Sequence, residues 1–338
     1  MKDAKWILAG SDTLSGREVR DYIAEHRLPV RLVLVGGTSV ERVLTAGDEE
    51  EIAVMEPLSA VTLHDADVVL IAGAEDEART VLELARSLPD PPVLIDMAGW
   101  LESEPGAVVR APMLEANPDA APTAGIQVVA HPAATGLGRL LDLVHALHPV
   151  RHAVVTLLEP VSVYGARGID ELHKQTLSLF NFQNPPKELF DTQASFNLLP
   201  RFGEEAAAQP ADSQSRMERH LTRLLPLRRV PVPSLRLLHA PVFHGYGASI
   251  WIEFESRPAV EHLEKELEAA GVDVRRASME PASNTGVAGQ SGLTVSDLAE
   301  DQRHGAGMWI WMMLDNLRTT AETAVLVAAA ASRARESA

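Results

Sequence analysis

The chain has 338 residues, enough for two domains or one large one, and 46% of them are hydrophobic, which supplies a substantial core. Its formal net charge of −17 argues against nucleic acid as a partner, since phosphates would repel it. The sequence contains no cysteine, which excludes disulfides, thiolate metal sites and cysteine nucleophiles. The N-terminal apolar run is too short for a signal peptide, and no segment has membrane-spanning length. We therefore expect a cytoplasmic protein without membrane contact.

The first part of the chain alternates predicted strands and helices. A strand at residues 6–9 leads through the turn at 10–16 into an amphipathic helix, and a β-branched strand follows at 30–35. Further strands are predicted at 68–72, 93–96 and 126–130. This alternation predicts an α/β fold, with a Rossmann-type parallel sheet in a domain of residues 1–130.

The second part has a different pattern, with longer predicted strands at residues 153–158, 248–254 and 308–314. A helix is predicted at 168–178. The polar segment 209–219 is predicted to begin as an exposed loop before a helix at about 217–225. Together these elements predict an α+β domain with a mixed sheet over residues 131–314.

The segment 126–139 combines a strand, a tight turn and a helix start. His131-Pro132 ends the apolar run, because proline fixes its own φ and moves its predecessor out of the α region. The helix N-terminus that follows suits an anion or a thiolate. Instead of a nucleophile, the turn carries Ala133 and Ala134, and Thr135 is predicted to cap the helix.

Six motifs follow one another along nearly the whole chain. They are the glycine turn Gly10 to Gly16, V-V-A-H-P-A-A-T (128–135), Val161-Ser162 with Gly165 and Asp170-Glu171-Leu172, S-F-N-L-L-P (195–200), P-V-F-H-G-Y (241–246) and D-N-L-R (315–318). In this order and spacing the chain resembles the aspartate-semialdehyde dehydrogenase family, which serves amino-acid biosynthesis. The resemblance implies an NADP-binding Rossmann domain completed by a C-terminal helix at 315–338. It also implies a catalytic and dimerisation domain at 131–314, and reduction of aspartyl phosphate through a thioester on a cysteine.

The departures from the family pattern fall on the positions that the reaction uses. The resemblance places Ala134 at the nucleophilic cysteine, and a methyl group cannot attack a carbonyl. Glu159 aligns with a glutamine of the family, and Tyr246 aligns with the catalytic histidine. His239 aligns with the arginine that binds the substrate carboxylate. Glu102 stands near the arginine that holds the phosphate, where a carboxylate would repel an acyl phosphate. No catalytic position is intact, which indicates the family branch that lacks the catalytic cysteine.

These replacements lead to three hypotheses. The first is a pseudoenzyme, a homodimer with a binding or regulatory role. The alternative is an active NAD(P)-dependent oxidoreductase that acts on a small acidic aldehyde or a related amino-acid metabolite without a thioester. That enzyme would use Tyr246 or His244 as its acid. The third is a heterodimer with an active paralogue. A purely structural interpretation is that His239 and His244 only fill the space of the former active site.

Binding of NADP or NAD is left open by the sequence. Thr13 replaces the middle glycine of the phosphate loop, and a β-branched side chain obstructs the pyrophosphate there, while Asp12 adds negative charge. Arg42, with Thr38 and Ser39, could meet a 2′-phosphate. The candidate cofactor-binding residues are Gly10, Ser11, Thr13, Leu14, Gly16, Thr38, Ser39 and Asn316.

Three histidines have a spacing that suggests a metal site, namely His145, His148 and His152. Pro149 ends the helix between them, so a solvated helix end is the better interpretation. From the sequence we expect no metal site.

Overall fold

The computed structural model of the protein describes residues 4–36, 43–46, 51–119, 122 and 125–337, with only the backbone of 43–46 and 51–54. Thr38 and Ser39, two of the expected cofactor contacts, and Arg42 lie outside the described residues. The chain divides into two compact units, Met1–Ala130 with Thr320–Ala338, and His131–Thr319. No helix in the described ranges is both long and apolar enough to span a lipid bilayer.

The first unit is built on a six-stranded sheet with the order β2-β1-β5-β6-β8-β7, in which every neighbouring pair is parallel. Its strands and helices, with the hairpin β3–β4, are β1 (Ala4–Ala9), α1 (Leu14–Glu25), β2 (Val30–Val35), β3 (Val43–Ala46), β4 (Glu51–Val54), α2 (Ala60–Leu63), β5 (Val68–Ile71), α3 (Glu75–Arg86), β6 (Val93–Asp96), β7 (Val108–Arg110) and β8 (Ile126–Val129).

Apolar side chains cover both faces of this sheet. One cluster joins α1 to the alanine-rich turns of the last helix, including Ala321, Ala324 and Ala328. A second cluster joins α2 and α3 to the opposite face. Parallel strands buried on both faces, with helices on either side, are characteristic of doubly wound folds. The predicted Rossmann-type α/β unit is confirmed.

The second unit contains a mixed six-stranded sheet with the order β10-β9-β11-β14-β13-β12. Strands β9 and β10 are parallel, β9, β11, β14 and β13 are successively antiparallel, and β12 is parallel to β13. The elements, through the last helix, are α4 (Pro132–Leu147), β9 (Val150–Glu159), α5 (Gly165–Phe180), α6 (Pro210–Leu224), β10 (Ser234–His239), β11 (Tyr246–Phe254), α7 (Val260–Ala269), β12 (Asp273–Arg275), α8 (Asn284–Val287), β13 (Thr294–Glu300), β14 (Gly307–Leu314) and α9 (Asn316–Glu336). The predicted mixed-sheet α+β unit is confirmed.

Two sequence predictions in this unit are wrong. Residues 210–219 belong to α6 and are not a loop, because Pro210 suits the first helical turn and the Asp212 carboxylate accepts the Gln209 N–H at 3.0 Å. Thr135 does not cap α4. His131 is the N-cap, and its ring accepts the Ala133 N–H at 3.3 Å.

Candidate functional site

One edge of the mixed sheet collects the polar groups of the second unit. Glu159 ends β9 and His239 ends the parallel strand β10, where the two residues are register partners. Tyr246 begins β11, which runs antiparallel to β9, so its side chain starts at the same edge. All three residues are fully buried. The strand directions therefore bring together three of the positions at which the resemblance places catalytic residues.

The start of α4 supplies the fourth position. Ala134 lies in the first turn of the helix, is fully buried, and belongs to the same apolar cluster as Tyr246. The Thr135 hydroxyl is also buried and has no hydrogen-bond partner among the described residues. No side chain in this turn, from Pro132 to Thr135, offers an activated nucleophile.

The Glu159 carboxylate accepts hydrogen bonds from three hydroxyl groups. Oε1 accepts from Ser213 Oγ at 2.5 Å and from Tyr246 Oη at 2.9 Å, and Oε2 accepts from Tyr164 Oη at 2.7 Å. Burial raises the pKa of Glu159, because the charged form loses hydration, and the three hydrogen bonds oppose that rise. Donors from its own chain thus bond both oxygens of the carboxylate, two at Oε1 and one at Oε2.

His131 connects the start of α4 to this carboxylate through Ser213. Its Nε2 lies 3.1 Å from Ser213 Oγ and 3.3 Å from Tyr246 Oη. Because Nδ1 accepts the Ala133 N–H, we assign the ring proton to Nε2, which donates to Ser213. Burial lowers the pKa of His131 well below its ordinary value, and electrostatic repulsion from Arg216 and His220 lowers it further. The imidazole is therefore neutral at physiological pH.

The order of these groups differs from that of a serine-hydrolase triad. There the histidine accepts the serine proton and the carboxylate orients the histidine. Here Ser213 donates to the Glu159 carboxylate, and the His131 ring donates to Ser213. A histidine that holds its proton on the serine side cannot deprotonate that serine. The arrangement is a closed hydrogen-bond chain and not an activated nucleophile.

Tyr246 is poorly suited to act as an acid. Burial raises the pKa of its phenol well above the ordinary value, and the neighbouring Glu159 carboxylate adds to the rise. A general acid works best when its pKa lies near the working pH. Tyr246 therefore stays protonated and donates a hydrogen bond to Glu159.

His239 sits in an aromatic cage. Its ring lies 5.0 Å from Phe202, 5.5 Å from Phe190 and 6.3 Å from Tyr164, measured between ring centroids. Neither ring nitrogen has a hydrogen-bond partner within the described residues. Burial lowers the pKa of His239 to about 4. A neutral, caged imidazole offers no positive charge to a substrate carboxylate.

Two other expected site residues hold the second unit together. The Asn316 Oδ1 accepts from Ser162 Oγ at 3.3 Å and from the Gly245 N–H at 3.0 Å, which places its buried amide among residues of its own unit. The half-buried His244 contributes its carbonyl oxygen to Asn284 at 2.8 Å. The His244 ring has no hydrogen bond to Glu159 or Tyr246, so the structure does not bring this substitute acid into the network.

In the glycine turn, the surviving residues have structural roles. Gly10 has φ +72°, and a Cβ atom there would meet the Gly73 nitrogen at 2.4 Å. A Cβ atom on Gly16 would meet the Gly10 carbonyl oxygen at 2.2 Å. Thr13 caps α1, accepting the Gly16 N–H at 3.0 Å, while its hydroxyl donates to the Gly10 carbonyl. Leu14 begins the helix, and Ser11 is fully buried.

An acidic side chain occupies the approach to this turn. Glu77, in the first turn of α3, accepts a hydrogen bond from the Gly10 backbone, and its carboxylate lies against Gly73, where an added Cβ would meet Oε2 at 1.6 Å. Burial and the charge of Asp12 raise the pKa of Glu77. A dinucleotide pyrophosphate needs free N–H groups and no adjacent negative charge. The described residues of the turn therefore do not fit that cofactor.

Local sequence patterns did not indicate Tyr164, Ser213, Arg216 or Glu77 as residues of these sites. Ser213 and Arg216 are three residues apart on α6, the spacing that places side chains on one helix face. That signal depends on α6 beginning at Pro210. Tyr164 and Glu77 act through contacts that local patterns do not indicate.

Comparison with known proteins identifies the family. The family described as "Semialdehyde dehydrogenase, dimerisation domain" matches residues 140–319, more than half of the chain. The chain belongs to the semialdehyde dehydrogenase family. The matched residues include the second unit's entire mixed sheet, with the Glu159, His239 and Tyr246 positions.

Similar proteins include members named as enzymes and members that are not. Aspartate-semialdehyde dehydrogenase from Rickettsia bellii is 24% identical over 312 residues, covering 90% of each chain. A USG-1 protein homolog from Azotobacter vinelandii is 28% identical over 169 residues, half of each chain. Aspartate semialdehyde dehydrogenase II from Vibrio cholerae shares the fold, with a TM-score of 0.82, 19% identity and coverage of 98% of this chain and 99% of that one. The Candida albicans enzyme, solved with NADP, has a TM-score of 0.65 and 17% identity over 99% of each chain.

Proposed function

We propose that this protein is a non-catalytic member of the semialdehyde dehydrogenase family that acts as a binding or regulatory homodimer. The observation that carries the proposal is the closed network around Glu159. The side chains of Ser213, Tyr164 and Tyr246 satisfy the one buried carboxylate at the positions where the family's reaction would take place. A site whose polar groups already bond one another has little affinity left for a polar substrate.

Each replaced position supports the same conclusion by a separate physical route. The Ala134 methyl has no lone pair for covalent attack. The caged His239 carries no charge for a carboxylate, and the Tyr246 phenol holds its proton. Reverting one position would leave the other defects in place. Loss of activity is therefore distributed over the whole pocket.

The Glu77 carboxylate and the buried Tyr246 phenol disfavour the alternative function as an active oxidoreductase. That function requires a bound dinucleotide, and the Glu77 carboxylate takes the Gly10 N–H beside Asp12. It also requires an acid, and burial makes the Tyr246 phenol a weaker one than tyrosine in water. We infer that NADP or NAD binds weakly or not at all.

The dimer is supported by the match to a dimerisation domain and by an exposed apolar surface. The end of α5 and two following segments carry Phe180, Phe182, Phe196 and Leu198, which are 69%, 99%, 63% and 59% exposed. The Phe180 and Phe196 rings are 6.0 Å apart and form one patch. Exposed apolar patches of this kind mark protein interfaces. We propose that this aromatic patch contributes to the contact between two copies of the chain.

A direct assay tests the catalytic half of the proposal. Purified protein with aspartate semialdehyde, NADP and phosphate should produce no NADPH, and Ala134→Cys should be equally inactive, because Glu159, His239 and Tyr246 are unchanged. Turnover by the natural protein at about 1 s⁻¹ or more, an ordinary enzyme rate, would refute the proposal.

Thermal unfolding with NADPH tests the cofactor separately. A ligand of the native state must raise the melting temperature, so millimolar NADPH should leave that temperature unchanged. The variant Glu77→Gln with Asp12→Asn removes both charges beside the turn and should show a larger NADPH-dependent increase than the natural protein. A clear increase for the natural protein would revive the oxidoreductase hypothesis.

A further inference from the structure

Two imidazoles and a carboxylate converge where the end of α4 lies against α7. His148 Nε2 is 2.7 Å from Glu266 Oε2, and His262 Nε2 is 3.3 Å from Glu266 Oε1. One nitrogen or oxygen atom from each of the three residues lies within 4.8 Å of the others. The two histidine rings are 5.9 Å apart between centroids. This set of side chains is separate from the network around Glu159.

The backbone and the apolar core hold these three side chains in place. His262 and Glu266 are four residues apart on α7, which puts them on one face of the helix. The neighbouring positions Leu263 and Leu267 are fully buried and fix the rotation of that helix. His148 is the C-cap of α4, and its ring packs edge-on against the buried Phe254 at 6.5 Å. The three ligand atoms thus lie near one another without an ion.

We propose that His148, His262 and Glu266 bind a divalent transition-metal ion of the zinc class. Imidazole nitrogen with one carboxylate suits Zn²⁺ and its neighbours, whereas Mg²⁺ and Ca²⁺ require oxygen ligands. The 2.7 Å and 3.3 Å contacts end on different oxygens of Glu266, so an ion about 2 Å from every ligand atom requires a small movement of these side chains, the exposed His262 ring among them. Three protein ligands leave the fourth position for water, and the 63% exposure of His262 gives the ion access from solvent.

The ion would connect distant parts of the second unit. His148 lies between α4 and β9, and its carboxylate partner is 118 residues further along the chain. The Glu266 carboxylate is hydrogen-bonded to His148 and lies 3.3 Å from the His262 ring, so coordination would replace these contacts and anchor α7 to the end of α4. Ligand spacing within a single motif does not indicate such a site, because His148 has neither partner nearby in sequence.

Zinc titration of the full-length, untagged protein tests this site independently of the proposed function. Protein freed of metal by a chelator and exchanged into a non-coordinating buffer should bind one Zn²⁺ per chain in calorimetry. Zn²⁺ should also raise its melting temperature. His262→Ala removes an exposed ligand without opening the core and should weaken binding by more than about tenfold, and Glu266→Gln should do the same.

The matched control is His152→Ala, which removes an exposed histidine from the start of the adjoining strand β9. It should bind Zn²⁺ as tightly as the natural protein. Circular dichroism checks that every variant is folded. The proposal is overturned if the natural protein shows no saturable binding, or if His262→Ala and Glu266→Gln bind as tightly as His152→Ala.

Discussion

At the scale of single residues, the pocket is defined by how buried polar groups are satisfied. The Glu159 carboxylate accepts hydrogen bonds from both the Tyr246 and the Tyr164 hydroxyls. His239, at the end of the neighbouring strand, has no such hydrogen bonds. Its neutral ring lies among aromatic side chains. A buried carboxylate and a buried imidazole coexist here because one accepts three hydrogen bonds and the other is uncharged.

Replacing the carboxylate should show how much of the pocket depends on it. Glu159→Leu leaves the Tyr246 hydroxyl buried without an acceptor, at a cost of about 1–3 kcal/mol for each orphaned group. Glu159→Gln keeps an acceptor oxygen and nearly the same shape, so its loss should be smaller. Urea unfolding of both variants measures the difference. Equal stability of the two would show that the hydrogen bonds contribute little.

His239 should make the protein less stable in mild acid. Its pKa is about 4 in the folded chain and about 6.5 when exposed, so between these values the unfolded chain binds more protons. Stability contributed by the neutral ring is complete above pH 6.5 and is lost as the pH falls toward 4, by about 2 kcal/mol at pH 5. His239→Phe should therefore reduce the difference in unfolding free energy between pH 7 and pH 5.

His244→Ala provides the comparison for this experiment, since His244 is only half-buried and lies outside the cage. Its dependence of stability on pH should match that of the natural protein. His131, whose pKa is also lowered, contributes a slope of the same sign in all three proteins. If His239→Phe keeps the full acid sensitivity, His239 is not the group that titrates.

At the scale of elements, the glycine turn between β1 and α1 has a structural reason for each of its glycines. Gly10 and Gly16 are required because a side chain at Gly10 would collide with the backbone of Gly73, and one at Gly16 would collide with the backbone of Gly10. Thr13 stabilises the start of α1 as its N-cap. The fold alone is therefore a sufficient reason for these glycines.

Substitution of Gly10 should destabilise the protein with no nucleotide present. Gly10→Ala combines a left-handed backbone, which costs about 1–2 kcal/mol for other residues, with a contact at 2.4 Å. Gly106→Ala is the control, because Gly106 has φ +82° but an added Cβ atom there meets nothing within 4 Å. Thermal unfolding should show a much larger loss for Gly10→Ala. Similar losses would mean that the close approach to Gly73 relaxes easily.

Helix α6 shows where local patterns were misread. Its sequence is polar, which favours a loop, but the proline at its first position and the Asp212 carboxylate near its start are helix signals. The buried Met217, His220 and Leu221 lie on the inner face. Because α6 begins at Pro210, Ser213 and Arg216 are helical and face the residues around Glu159. The sequence prediction started the helix later and therefore did not indicate these two residues.

At the scale of the whole molecule, the protein should be a dimer of the 36.5 kDa chain. Light scattering with size exclusion measures the mass directly. Phe180→Glu places a charge in the aromatic patch, and burying that charge in an interface is costly, so the variant should shift toward monomer. Lys174→Ala, an exposed position on the same helix, should leave the mass unchanged. A monomeric natural protein would contradict the proposed assembly.

The sequence by itself determined the two-part α/β and α+β fold, and the family, because strand and helix periodicities and ordered motifs are local properties of the chain. The sequence also showed that Ala134 has no nucleophilic side chain. Only the tertiary structure decided what surrounds it. Ser213 reaches Glu159 across 54 residues, and the proposed ligands His148 and Glu266 are 118 apart. Such contacts depend on strand order and helix packing, which no local pattern encodes. The turn at His131–Ala134 therefore contacts Ser213 and Tyr246, which no local pattern places beside it.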